Sequence, residues 1–134
     1  AKGSPKTMQN SPTYQNVVED VRAFFDSKKD DLIQRQLPRI WIDPGIGFGK
    51  TLEHNLEIMR NLSMFKEEEW GLFLGSSRKS WIDQLCNAPT PSDRLGGSIA
   101  SALASILHGV EIIRVHDVQE TAQAISVAKE LALF

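Results

Sequence analysis

The chain is short of the features that mark most specialised proteins, and each shortage excludes something. It has one cysteine, Cys86, in 134 residues, so neither an intramolecular disulfide nor a cysteine-based metal site is available. A reducing, cytoplasmic setting is the simplest expectation. No apolar run approaches the ~20 residues a bilayer demands, so no membrane helix and no membrane partner is expected. The net charge is only −2 and no basic run occurs, which argues against a nucleic-acid surface. No His/Asp/Glu spacing matches a metal motif and no Ser-His-Asp arrangement stands out, so no metal ligand is assigned. Internal repeats and low-complexity stretches are also missing. The chain opens on Ala1-Lys2-Gly3 without a signal-peptide pattern, and reads as cut from something longer.

What is present is ordinary in bulk: 41% hydrophobic and 24% charged residues, in a length that suffices for one core. Residues 1–14 read as a loop. Val18, Val21 and Phe25 recur at helical spacing, so a helix is expected from about Gln15 towards Ile33, ended by Leu37-Pro38. Ile40–Ile42, Gly71–Leu74 and Glu111–Val115 read as short strands. Between them Thr51 is placed to cap a helix with Leu52, Leu56 and Met59 on one face. Glu67-Glu68-Glu69 reads as a solvated loop and Ser80–Leu85 as a short helix. Thr90-Pro91-Ser92-Asp93 has the form of a helix start, with Ile99, Leu103, Ile106 and Leu107 as the buried stripe that follows. Asp117-Val118-Gln119-Glu120 has capping-box spacing before a last helix. Strands separated by amphipathic helices imply an α/β fold with parallel pairing and right-handed crossovers.

Three polar clusters close the three strands. Asp43-Pro44-Gly45-Ile46-Gly47-Phe48-Gly49-Lys50 follows the first. Asp43 there can accept hydrogen bonds from a heterocycle, or simply cap a turn before Pro44. The glycines let backbone approach a ligand, and Phe48 suits packing on a planar group or on the core. Gly-Lys-Thr resembles a P-loop ending, but Pro44 stands where the first glycine belongs. Gly75-Ser76-Ser77-Arg78-Lys79 follows the second strand; Lys79 there suits ring acceptors or an anion, although a surface lysine is the plainer reading. Arg114 and His116 at the third strand share one face and resemble an anion clamp for phosphate or pyrophosphate, with a structural salt bridge as the alternative. Asp117 points the other way, as a helix cap. His54 reads as exposed, His108 as a helix-end partner and Cys86 as packed and inert.

Taken together, Asp43–Lys50, Ser77-Arg78-Lys79-Ser80 and Arg114-Val115-His116-Asp117-Val118 closely resemble the dihydropteroate synthase family. Lys2-Gly3-Ser4-Pro5-Lys6-Thr7-Met8-Gln9 is similar to that family's loop after the fifth barrel strand, and Arg94-Leu95-Gly96-Gly97-Ser98 to its helix entry before the last strand. The resemblance implies a transferase of folate biosynthesis and a sulfonamide target, joining para-aminobenzoate to 7,8-dihydropterin-6-ylmethyl diphosphate with release of pyrophosphate. It implies pterin contacts from Asp43, Gly75, Lys79 and Arg114, and aminobenzoate contacts from Gly47, Phe48 and Ser77. Arg114 and His116 would bind the diphosphate, and Lys79, Arg114 and His116 would be the catalytic groups. Mg2+ is implied too, with its protein ligand in the amino-terminal half that this chain lacks, and a homodimer for the full-length protein.

The fold so implied is a partial TIM (β/α)8 barrel. Residues 1–134 would be the carboxy-terminal part of a single pterin-binding domain, with about the last three strands and their helices. A whole barrel takes ~250 residues and eight strands, so the piece alone is expected to be weakly active or inactive. Its uncovered edges and apolar helix faces invite self-association. A pterin-binding methyltransferase domain and a non-catalytic fragment are the rival readings. Near Gln36-Leu37-Pro38-Arg39 relatives often carry a glycine-containing turn, a departure that bears on helix length.

Overall fold

The structure, a computed structural model, describes residues 14–134; the motif at 2–9 and nearly all of the loop expected over 1–14 lie outside them. Helix α1, Val17–Gln34, starts at Asn16, whose side chain accepts hydrogen bonds from the backbone N–H groups of Val18 and Glu19. Strand β1, Trp41–Ile42, leads through the glycine loop into α2, Leu52–Arg60. Thr51 and His54 form a reciprocal capping box at the start of α2. The His54 ring also stands edge-on to Tyr14. A 3-10 turn, Leu62–Phe65, precedes β2, Gly71–Leu74, and α3, Ser80–Cys86. A second 3-10 turn, Pro91–Arg94, runs into α4, Leu95–Leu107, followed by β3, Ile112–Ile113, and α5, Val118–Glu130.

The strands lie in the order β1-β2-β3, all parallel. Ile42 pairs with Leu72 and Leu74 with Ile113, which puts these four on the face that the helices cover. Ile42, Leu72 and Leu74 are buried there together with Ile46, Ile58, Leu62, Phe65, Trp70 and Ile82. Trp41, Gly71, Phe73 and Ile112 occupy the opposite face, where Trp41 keeps 40% and Ile112 38% of its surface exposed. Backbone bonds from Gly71 N to Ile40 O, at 2.9 Å, and from Arg114 N to Leu74 O, at 2.8 Å, carry the ladder one residue past the short strands at each end. No described helix is long and apolar enough to cross a membrane.

Five expectations are corrected. Thr90 makes no capping bond: Pro91–Arg94 forms a 3-10 turn, and α4 begins only at Leu95. The buried stripe of α4 is Ser98, Ser101, Ala102 and Ser105, while Ile99, Leu103 and Ile106 are half-buried and Leu107 is exposed. Small side chains allow this face to pack closely, with each serine hydroxyl bonded one turn back to a carbonyl. Asp117 precedes α5 but makes no cap bond, because Arg78 holds its carboxylate. Cys86 ends α3 exposed rather than packed. Glu67 and Glu69 are not merely solvated, since they pair with Arg22 and Lys29 and fasten the loop to α1.

Gly97 faces Ile82 where α4 crosses α3, and a Cβ at position 97 would overlap the Ile82 Cγ2 methyl. Gly97→Ala is therefore expected to cost about 1–3 kcal/mol. Adding Ile82→Leu, which removes the branch at Cβ, should recover part of the loss; a double-mutant cycle by chemical denaturation gives the coupling.

Candidate active site

All three polar clusters leave the carboxyl ends of adjacent parallel strands, and topology alone sets them side by side. In the first, Asp43 is exposed and its Oδ1 accepts the Gly45 N–H at 2.8 Å, the turn-capping role that Asp before Pro favours. Gly47 has a φ of +79°, and its N–H donates to Asn55 Oδ1 at 2.7 Å. Asn55 is buried on the inner face of α2 and also donates to Thr51 O at 2.7 Å, so one side chain ties the middle of the loop to its end. Lys50 is only 6% exposed; its ammonium donates to Gly45 O at 2.9 Å and Phe48 O at 3.3 Å. A P-loop lysine would point outward to a phosphate. This one is turned in on its own loop.

The second cluster reaches across to the first. Lys79 Nζ donates to Ile46 O and lies 4.2 Å from the centre of the Phe48 ring. A Cβ on Gly47 would sit 2.8 Å from Lys79 Cδ, so the lysine stem passes where only glycine leaves room. Phe48 is 42% exposed and belongs to this rim rather than to the core. Burial pushes the Lys79 ammonium down to about 8; Asp43 opposes this, and Arg114 and Lys50 add to it. Asp43, Arg114 and Lys50 are thus all near enough to act on the charge of Lys79. Burial also lowers Lys50, again against Asp43.

The third cluster closes over the second. Gly75 is buried beneath Arg114, whose Nε and Nη2 would lie 3.1 Å from a Cβ there. Ser77 is buried; its Oγ accepts the His116 N–H at 3.3 Å and lies 3.1 Å from His116 Nδ1. With the Ser77 hydroxyl donating to Nδ1, the neutral imidazole carries its proton on Nε2, a donor left for a ligand. Arg78 forms a two-pronged bond with Asp117, which holds the Asp117 carboxyl below its usual range and ties the second strand end to the third. Arg114 itself is exposed. With Asp117 tied to Arg78 and Lys50 turned inward, the arrangement offers the Asp43 carboxylate, the Phe48 ring and the cations of Lys79 and Arg114, groups suited to a planar polar ring joined to an anionic group.

The residues singled out from sequence, Asp43, Gly47, Phe48, Gly75, Ser77, Lys79, Arg114 and His116, thus all lie on these three loops. His108 does not join them, since it ends α4 at the opposite end of the sheet. Lys50, Asn55, Arg78 and Arg94 carry much of the local architecture and had no assigned role. Asn55 is the one with a signal, being a polar residue next to the apolar stripe of α2.

Comparison with known proteins bears on this geometry. A family model described as pterin binding enzyme matches residues 1–116. The chain is 42% identical to a dihydropteroate synthase of Neisseria meningitidis serogroup B, over 98% of its own length and 48% of that protein's. It is 42% identical to the Escherichia coli dihydropteroate synthase, over 96% of its own length and 46% of the other. The structure of Yersinia pestis dihydropteroate synthase with a sulfonamide drug superposes with a TM-score of 0.89 at 38% identity, covering 98% of this chain and 48% of that one. That of the Thermus thermophilus enzyme in complex with 4-aminobenzoate gives 0.90 at 36%, with 96% and 53% covered. The chain therefore spans about half the length of the curated relatives it matches. Its three-stranded parallel sheet and helices are an arc of a TIM (β/α)8 barrel.

For Lys79 the sign of the pH dependence follows from the lowered value. The unfolded chain keeps this proton to 10.5 whereas the folded chain releases it near 8. Between those values the unfolded state binds more protons, so the contribution of Lys79 to stability grows as pH rises. Denaturation midpoints should gain over that window, and Lys79→Met should flatten the gain.

Proposed function

The chain belongs to the pterin-binding enzyme family, and from that premise we propose that it is the carboxy-terminal part of a dihydropteroate synthase, one (β/α) barrel domain whose remaining strands lie outside these residues. The reaction condenses 7,8-dihydropterin-6-ylmethyl diphosphate with para-aminobenzoate. The C–O bond to the diphosphate breaks with its electron pair leaving on pyrophosphate, the arylamine nitrogen captures the cationic methylene, and a proton is lost. The observation that carries this reading is the position of Lys79, half-buried between the Ile46 carbonyl and the Phe48 ring, with Asp43 and Arg114 both acting on its charge.

On this reading Asp43 accepts hydrogen bonds from the pterin ring while Lys79 donates to it, and the small Gly75 lets Arg114 lie flat against the pterin face. The Arg114 charge and the Nε2–H of His116 receive the departing diphosphate, where negative charge grows. Gly47, Phe48 and Ser77 border the aminobenzoate. Among the described residues no group of three or more His, Cys, Asp and Glu side chains could hold a metal ion, so they offer no metal cage of their own. The two strand-end carboxylates, Asp43 and Asp117, are engaged by Gly45 and Arg78 amid cations. No step is assigned to a metal here, and any protein ligand for it comes from outside the described residues. The full-length protein works in the cytoplasm as a homodimer, with exposed apolar residues such as Leu85 and Leu107 offering surface for a second copy.

Calorimetry on the full-length protein should give saturable binding of the pterin diphosphate that Asp43→Ala abolishes. Arg114→Ala should lower pyrophosphate release by about 10²–10³-fold. Methyl transfer without pyrophosphate would identify the methyltransferase reading instead. The 134 residues by themselves should not turn over aminobenzoate, and turnover by the purified piece would refute the division of the barrel proposed here.

A further inference from the structure

Arg94 is the most deeply buried guanidinium described, 8% exposed, and the chemistry above makes no use of it. Its Nε donates to Ala88 O at 2.7 Å, Nη2 to Pro89 O at 2.6 Å and Nη1 to Arg78 O at 2.8 Å. Asp83, at 3.7 Å from Nη2, is its only carboxylate partner among the described residues. A buried charge satisfied mainly by backbone carbonyls of two loops holds those loops in place.

The loop it holds is the one that aims Lys79. Arg78 has a φ of +57°, a left-handed conformation that a side chain such as arginine adopts only when its surroundings impose it. Both polar groups of that residue's backbone are gripped from a single helical turn. Arg94 takes the carbonyl, and Ser98, one turn on, accepts the N–H at 2.9 Å. The Ser98 hydroxyl in turn donates to Arg94 O at 2.7 Å, which closes the loop of bonds. A third contact, Ser76 Oγ to Ser101 Oγ at 2.8 Å, fastens the preceding residues to the same helix. The next residue after the gripped peptide is Lys79, and the side chain of the gripped residue latches Asp117 beside His116.

We propose that Arg94 and Ser98 form a positioning clamp: from the start of α4 they impose the left-handed turn at Arg78 that directs Lys79 across the glycine loop. Neither residue touches substrate. Released from the clamp, Arg78 relaxes towards ordinary backbone angles, and Lys79 swings from the Ile46 carbonyl and Phe48 ring into solvent. Arg94→Lys does not restore the clamp, because an ammonium cannot serve three carbonyls in the planar fork that they define.

The clamp rests on the proposed function only for its activity readout, so the test includes one that needs no substrate. Competitive acetylation of the full-length protein across pH, read by mass spectrometry, measures the titration of the Lys79 amine directly. Wild type should titrate near 8, and both Arg94→Met and Ser98→Ala should move Lys79 towards 10.5. The catalytic efficiency should fall at least tenfold in Arg94→Met, with Arg94→Lys no better, and about threefold in Ser98→Ala. Ser98→Ala removes one hydroxyl and keeps the decision open should Arg94→Met fail to fold. Unchanged Lys79 titration in folded Ser98→Ala would overturn the clamp, as would lost activity without such a shift. A wild type that releases no pyrophosphate, with the Lys79 shifts as expected, would count against the proposed function alone.

Discussion

The reach of Lys79 from the end of the second strand to the loop after the first is the contact on which the site depends. An ammonium held against a carbonyl and over an aromatic ring, with its stem crossing a glycine, is partly stripped of water. That loss of hydration lowers its proton affinity and leaves it a strong donor to any ligand that replaces the missing solvent. The same crossing aligns the loops, because Phe48 and Ile46 come from one strand end and Lys79 from the next. Gly47 is required twice over, once for a positive φ and once for the space occupied by the lysine stem.

Sequence periodicity carried the fold a long way. α1, α2 and α5 begin within two residues of where apolar spacing puts them, and β2 has the expected bounds, Gly71–Leu74. The misreadings share a cause. Thr90, Pro91 and Asp93 have the composition of a cap, but the chain spends four residues in a 3-10 turn so that Arg94 can be carried inward. Asp117 has capping-box spacing, yet Arg78, distant in sequence, claims its carboxylate. Ile99, Leu103 and Leu107 look like a buried stripe because hydrophobicity points inward on average. In α4 the close approach to the strand-end loops selects serine and alanine instead. In each case a long-range contact overrides a local preference, and local patterns carry no record of it.

The candidate site was legible for the opposite reason. Asp43, Lys79, Arg114 and His116 stood out by residue type and by their place past the ends of parallel strands, although Asp43 also takes the turn-capping role that the sequence allowed. What composition could not separate was a lysine turned in on its own loop from one that crosses to the next. Lys50 and Lys79 both follow glycine-rich or serine-rich loops, and both are substantially withdrawn from solvent. Lys50 spends its donors on the carbonyls of its own loop, whereas Lys79 spends one on a neighbouring loop and keeps its head at the rim. One is scaffold and the other is reach.

The open face of the sheet completes the physical picture. Trp41, Phe73 and Ile112 line the side opposite the helices, and that side is the interior of a closed barrel. Residues so placed gain most of their burial only when further strands close the ring. The strand-end loops differ, since their polar bonds are made within this arc: Asn55 to Gly47, Ser77 to His116, Arg78 to Asp117 and Arg94 to three carbonyls. The geometry of these loops is therefore set locally, by bonds within the three-stranded sheet and its helices. A mutation at Trp41 or Ile112 should then act on assembly of the whole, and one at Ser98 or Asn55 on the shape of the pocket.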